Sequence, residues 1–282
     1  MSRTFRTCAG VPMNIMADPM AAIRKRAYRK DRTHNVLTLH FGRAGSTVLG
    51  RLLNQHPAID WAGERLAGMR KARDGTERNP KFALDSYLPR IERRMWRKRA
   101  AVFGMEFKPA QCCRTQYEKA DLERFVRDMS GLGMNAFLVL ERRNKLRVIV
   151  SKLSRRANFV RHASSSPTEP TRVHLPVLEV GMAGGIRPHL ETFEFMDLVV
   201  RNAEQVARDS GMNVVRLCYE DDILTDPRAG YRKLLAMFGL PLVEVEVDLS
   251  RTNPFPLSDL LENYDEVADV LSGTRFQWML DE

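Results

Sequence analysis

The chain has 282 residues, of which 44% are hydrophobic and 28% charged. That balance excludes collagen-like, disordered and disulfide-scaffold chains, and the length suits one large α/β domain or two small ones. Lys and Arg number 45 against 35 Asp and Glu, and the formal net charge of +10 favours an anionic partner: nucleic acid, acidic lipid or a phosphorylated small molecule.

Four cysteines, Cys8, Cys112, Cys113 and Cys218, show no paired metal spacing, and adjacent cysteines suit neither a CxxC site nor an ordinary disulfide. A reducing compartment is the simplest expectation. The N-terminus has no apolar signal core, since Asn14, Asp18 and Pro19 interrupt it. No run approaches the roughly 18 apolar residues of a membrane span. These features predict a cytoplasmic protein.

In chain order, residues 1–34 carry eight Lys or Arg and two Asp without an apolar period, and read as a basic, loosely ordered arm. Residues 36–41 (VLTLHF) predict a buried strand. A glycine turn over 42–47 follows, then a helix through Val48, Leu49, Leu52 and Leu53 that His56 and Pro57 end. Residues 59–61 start a second strand, 64–81 read as loop or short helix, and 84–99 as a very basic helix. A strand over 101–107 is closed by Lys108 and Pro109. A helix over 119–130 stops at Gly131 and Gly133. Residues 136–140 (AFLVL) are the clearest strand, and 146–160 a basic amphipathic helix. Residues 163–188, rich in Ser, Pro and Gly, predict a long loop of the kind that forms lids or substrate loops. A helix over 190–208, a strand over 213–217, a helix over 227–238 and an amphipathic helix near 257–271 complete the chain. Strands alternate with helices, which predicts an α/β fold: a mainly parallel sheet with helices on both faces. No composition break divides residues 35–282, so one domain is expected.

The turn Gly42, Arg43, Ala44, Gly45, Ser46, Thr47 carries the most chemistry. Backbone amides at a strand–turn–helix junction bind anions; Arg43 adds a cation and Ser46 and Thr47 add hydroxyls. A Walker A loop requires a lysine after the last glycine, where Ser46 stands, so an ATPase or GTPase is disfavoured. The competing reading is a plain turn with Ser46 as a helix cap. A second segment, residues 138–151, delivers Arg142 and Arg143 at the end of a strand, where open α/β sheets bind ligands. Ser151 lies eight residues after Arg143. An arginine there can grip phosphate bidentately, with a hydroxyl completing the grip. The other cations of residues 142–161 read as a solvated helix face.

These two segments resemble the sulfotransferases that use 3′-phosphoadenylyl sulfate. Their loop reads [RK]-[SA]-G-[ST]-[ST], matched by Arg43, Ala44, Gly45, Ser46 and Thr47. The resemblance implies that this loop holds the 5′-phosphosulfate, that Arg143 and Ser151 hold the 3′-phosphate, and that Arg251 is a second contact to it or a surface residue. Tyr219, Glu220 and Asp221, then Asp226 and Pro227, then Gly239, Leu240 and Pro241 extend it. Arg251 to Phe276 is similar to the C-terminus of bacterial carbohydrate-sulfating and nodulation-type enzymes. The implied architecture is a P-loop-like three-layer core. The implied donor is 3′-phosphoadenylyl sulfate and the product 3′,5′-adenosine bisphosphate, with no metal. The acceptor would be a hydroxyl on a carbohydrate or glycolipid, with residues 84–99 and 163–188 as acceptor-specific parts and peripheral membrane contact as an option. Ala44 in place of serine, and Arg143-Asn144-Lys145 without the family's proline, are departures.

The resemblance also suggests Glu64, seven residues after Pro57, as general base; a helix cap or surface pair is the alternative. Lys108, at a strand end, would polarise the donor or hold substrate, or simply face water. Arg43 would stabilise charge on the bridging oxygen. His40 reads as a core histidine. The rival functions are a P-loop-type small-molecule kinase, which would need a loop lysine and a strand-end Asp for magnesium, a basic nucleic-acid-binding protein, which would show aromatic-interleaved strands or a helix-turn-helix, and a non-catalytic sulfonucleotide binder.

Overall fold

The computed structural model describes residues 19–66, 87–112, 119–158, 167–180 and 186–281. Helix α1 (Pro19–Tyr28) leads into β1 (His34–Leu39), α2 (Ser46–Gln55), β2 (Ile59–Glu64), α3 (Leu88–Met95) and β3 (Val102–Phe107). Then come α4 (Pro109–Cys112), α5 (Lys119–Gly131), β4 (Ala136–Glu141) and α6 (Lys145–Asn158). A short antiparallel pair, β5 (Leu178–Val180) and β6 (Ile186–Pro188), precedes α7 (His189–Asp209) and β7 (Asn213–Cys218). The chain closes with α8 (Tyr219–Asp222), α9 (Pro227–Phe238), α10 (Leu257–Leu260), α11 (Tyr264–Leu271) and a 3-10 turn, Gln277–Leu280.

Five strands form one sheet in the order β2-β3-β1-β4-β7, and each pairing is parallel. Successive side chains of a strand point to opposite faces, and the core divides accordingly. Leu37, Leu39, Phe137 and Val139 join one apolar cluster with residues of α3, α5 and α7. Val36, Ala136, Leu138 and Leu140 join another with α2 and α9. Both faces are covered, so the central strands are apolar throughout instead of alternating. A third cluster packs α6 against the C-terminal helices. All five strand C-termini therefore meet at one edge, and the turns there are placed by a rigid sheet.

Four expectations change. The segment expected as a loose arm forms α1 from residue 19; Tyr28 packs on the core, and Arg32 lies over Trp96 and Phe103 at 5.2 and 5.7 Å. Burial pushes the Arg32 guanidinium down to about 10. The remainder of that arm, residues 1–18, lies outside the described residues. Of the expected long loop, residues 163–166 and 181–185 lie outside the described residues, and the part around 173–175 is anchored: Val173 bridges Leu261 in parallel, and Leu175 and Asn263 exchange two hydrogen bonds of 2.8 and 3.0 Å. The helix expected near 257–271 consequently splits into α10 and α11, because Leu261 and Asn263 turn to pair with that loop. The basic helix spans only Leu88–Met95, with Pro89 in its first turn; residues 67–86 lie outside the described residues. No helix among the described residues is long and apolar enough to cross a membrane.

Candidate functional site

The turn after β1 is held in an uncommon backbone conformation. Gly42, Arg43 and Gly45 have φ of 83, 59 and 79°. The left-handed region costs a non-glycine residue roughly 1–2 kcal/mol, so Arg43 must be fixed by its neighbours. Two contacts do this: the Gly42 amide donates to His40 Nδ1 at 3.0 Å, and Arg142 Nη1 donates to the Arg43 carbonyl at 3.3 Å. Gly45 is required twice over. It starts α2 from a left-handed conformation, and a Cβ there would come within 2.5 Å of Ile223. No side chain caps α2, which answers the capping alternative for Ser46. The amides of its first turn have no acceptor within the helix.

The turn forms one wall of a cavity of about 350 Å³, within the range of nucleotide-sized sites. Arg43, Gly45, Ser46 and Thr47 line it together with Arg142, Ser151 and Tyr219 and the irregular segment carrying Arg251, Thr252 and Asn253. Arg43 spans the opening: Nε donates to Ser151 Oγ at 2.7 Å and Nη2 to Thr252 Oγ1 at 2.8 Å. Burial lowers the Arg43 pKa, and the like charges of Arg155 and Arg142 add to that. Ser151 is positioned by α6, whose first turn is capped by Asn144, its Oδ1 accepting from the Arg147 amide at 2.9 Å.

Among the residues expected to bind, Arg43, Gly45, Ser46, Thr47, Ser151 and Arg251 share this cavity. Ala44 points into the core at 2% exposure, so a serine there would face apolar side chains. Arg143 is not brought to the cavity. Its guanidinium makes two hydrogen bonds of 2.9 and 2.7 Å to Asp221, and its amide donates to Glu220. Its neighbour Arg142 lines the cavity instead, stacked 4.5 Å over Tyr219 and 3.9 Å from Glu220. Glu220 of α8 lies against both residues, and Asp221 takes the Arg143 guanidinium. Spacing alone carried no signal for that.

Glu64 and Lys108 lie together on the other side of the turn. A bulge between Trp61 and Glu64, with Gly63 at φ 63°, brings Glu64 level with Glu106 of β3; bulges re-aim side chains in this way. Lys108 Nζ pairs with Glu64 Oε1, and Gln111 donates to Oε2 at 2.9 Å. Burial pushes the Glu64 pKa up, but the Lys108 ammonium, with His40 and the Gln111 amide adding to it, outweighs that, leaving the carboxyl below its ordinary value. Lys108 Cε sits 3.1 Å from where a Gly42 Cβ would stand, so this pair abuts the start of the turn.

Sequence reasoning missed a buried group beside it. His40, Glu64 and Glu106 bring one donor atom each within 4.8 Å of one another, although they are far apart in the chain. Cys218, also near this edge, donates to Glu220 at 3.2 Å, and burial pushes its thiol up to about 11, which keeps it protonated at neutral pH.

No family model matches the chain, and no curated protein does. Among solved structures it is similar to a sulfotransferase from Alicyclobacillus acidocaldarius, with a TM-score of 0.50 and 14% identity over 89% of this chain and 96% of that chain. At this identity the likeness is one of fold: the chain has a sulfotransferase-like α/β architecture.

Proposed function

We propose that the protein transfers a sulfuryl group from 3′-phosphoadenylyl sulfate to an acceptor hydroxyl. The observation that carries this reading is the cavity itself. Arg43, the start of α2, Arg142, Ser151 and Arg251 line one nucleotide-sized cavity, with Arg43 bonded to Ser151 and Arg142 bonded to the Arg43 carbonyl. Guanidinium groups gathered at one cavity, with Arg155 and Arg142 adding to burial in lowering the Arg43 pKa, call for a multiply charged anion, which would relieve their repulsion. The loop has no lysine for a nucleoside triphosphate, which disfavours the kinase reading.

Sulfuryl transfer forms a bond from the acceptor oxygen to sulfur and breaks the bond from sulfur to the bridging phosphate oxygen. The leaving group is 3′,5′-adenosine bisphosphate, and the acceptor proton passes to a base. The α2 amides, Ser46 and Thr47 would hold the 5′ side, with Arg43 taking up charge on the leaving oxygen. Arg142 and Ser151 would grip the 3′-phosphate, with Arg251 as a further contact. Glu64 would accept the proton, and Lys108 beside Gly42 would orient it. The acceptor is inferred to be a carbohydrate or glycolipid from the likeness of residues 251–276 to carbohydrate-sulfating enzymes.

Calorimetric titration with 3′,5′-adenosine bisphosphate, with ATP and ADP as controls, tests both the donor and the residue assignment. The bisphosphate should bind in preference to ATP. Removing a charge-assisted phosphate contact costs about 1.5–3 kcal/mol, so Arg142→Ala should weaken binding at least about tenfold, since 1.4 kcal/mol is a factor of ten. Arg143→Ala should weaken it by less than about fivefold, the exposed Asp221 pair being worth under ~1 kcal/mol. A larger loss for Arg143→Ala would return the phosphate grip to Arg143. Equal binding of ATP, or no binding of any nucleotide, would sink the sulfotransferase reading.

A further inference from the structure

The strained turn is backed by a buried polar chain. His40 is 1% exposed and Glu106 6%. The Gly42 amide donates to His40 Nδ1. A ring nitrogen that accepts a hydrogen bond carries no proton, so the neutral ring has its proton on Nε2. Nε2 faces Glu106 Oε2 at 3.3 Å, off the direction of a full hydrogen bond. The other oxygen, Oε1, accepts from the Trp61 indole at 2.8 Å. Trp61 is itself fixed by packing flat on Gly104, where a Cβ would come within 2.0 Å of its ring.

This tautomer decides what the His40, Glu64 and Glu106 group can do. Their spacing suits a metal ion, but a protonated Nε2 has no lone pair for one. A metal-bound imidazole also donates from its second nitrogen, whereas His40 accepts there. The Lys108 ammonium already neutralises Glu64. The group is built to orient a ring.

We propose that Glu106 and His40 are positioning residues for the anion-binding turn: Glu106 selects the tautomer of His40, and His40 Nδ1 holds the Gly42 amide. With Arg142 on the Arg43 carbonyl, this ties the backbone down on both sides of the left-handed Arg43. The consequence for nucleotide affinity rests on the sulfotransferase reading; the tautomer and the Gly42 contact do not.

The variant Glu106→Gln isolates the effect. Its amide oxygen can still accept from Trp61, but its NH2 then faces Nε2 and drives the ring proton to Nδ1. The Gly42 amide loses its acceptor. Imidazole 15N spectra should show a bare Nδ1 in the wild type and a protonated one in Glu106→Gln. The Gly42 amide should exchange faster, and the bisphosphate should bind about tenfold more weakly, as expected for one misplaced hydrogen-bonding group. In His40→Asn the amide oxygen stands near the Nδ1 position and can accept from Gly42 without help from Glu106. The double variant His40→Asn/Glu106→Gln should therefore recover affinity to within about threefold of the wild type, a rescue that a packing defect would not allow. The proposal is overturned by a protonated Nδ1 in the wild type, by zinc binding at His40, by unchanged Gly42 exchange in Glu106→Gln, or by a double variant weaker than either single one. If the wild type binds no bisphosphate, the sulfotransferase reading fails, while the spectra and the exchange rates still judge the relay.

Discussion

Glu64 shows how a single side chain can be read in opposite ways. Its burial alone would raise the pKa and make it a stronger base. The Lys108 ammonium reverses that, and the net shift is downward. A carboxyl depressed in the folded state stabilises the protein above its unfolded pKa, and that contribution is lost as pH falls through the folded value. The same sign governs catalysis. If Glu64 takes the acceptor proton, kcat/KM should stay level on the acid side until below its ordinary value of 4.5. In Lys108→Met burial prevails, the Glu64 pKa rises, and the acid limb should move to higher pH. In Glu64→Gln the limb should disappear and kcat fall about 10²–10⁴-fold, the usual worth of general base catalysis. pH–rate profiles of the three proteins decide this; a limb that stays in place in Lys108→Met would remove Glu64 from the role.

At the scale of elements, what the sequence disclosed was local. The strand–turn–helix unit of β1 and α2 was legible because a buried apolar run, paired glycines and helical spacing sit within about twenty residues. The sheet's parallel character was legible from alternation. The pairing of the Arg143 guanidinium with Asp221, which leaves Arg142 to line the cavity, was not, because Asp221 reaches the end of β4 only in the folded chain. Nor was the 249–253 wall, which has no periodic pattern, or the division of α10 from α11. That last feature rests on Asn263, whose amide exchanges hydrogen bonds with both backbone groups of Leu175 as a neighbouring strand would. Asn263→Ala should cost about 1–3 kcal/mol for the two stranded groups. It should also speed amide exchange at Leu175 and Val173 well before that of β1. Urea denaturation and hydrogen exchange measure both, and unchanged protection of Val173 would show that the bridge to Leu261 holds alone.

Over the whole molecule, the two ends of the sheet treat charge differently. At the C-terminal edge Arg43, Arg142 and Arg251 line a cavity with no Asp or Glu among its described lining residues, while the acids of that edge pair beside it, Glu64 with Lys108 and Asp221 with Arg143. At the N-terminal edge the charges are balanced internally. Asp60, 2% exposed, accepts from Arg94 at 2.6 and 2.8 Å and lies 3.4 Å from Lys98, with Arg32 nearby. Burial would raise the Asp60 pKa, but Arg94 and Lys98 prevail and hold it below 3.8. Its stabilising effect is therefore complete above the ordinary carboxylate range and is lost only as pH falls through the depressed value. Asp60→Asn leaves buried guanidinium groups without their counter-charge, a defect worth about 3–5 kcal/mol. Urea denaturation at pH 7 should show a loss of that size, shrinking in more acidic buffer as the wild-type carboxyl protonates. Because the pair sits at the opposite edge from the turn after β1, bisphosphate affinity in the folded variant should match the wild type. A loss under about 1 kcal/mol would mean that water reaches this edge and screens it as a surface pair. A loss of affinity would mean that the two edges are coupled through β2 and β3.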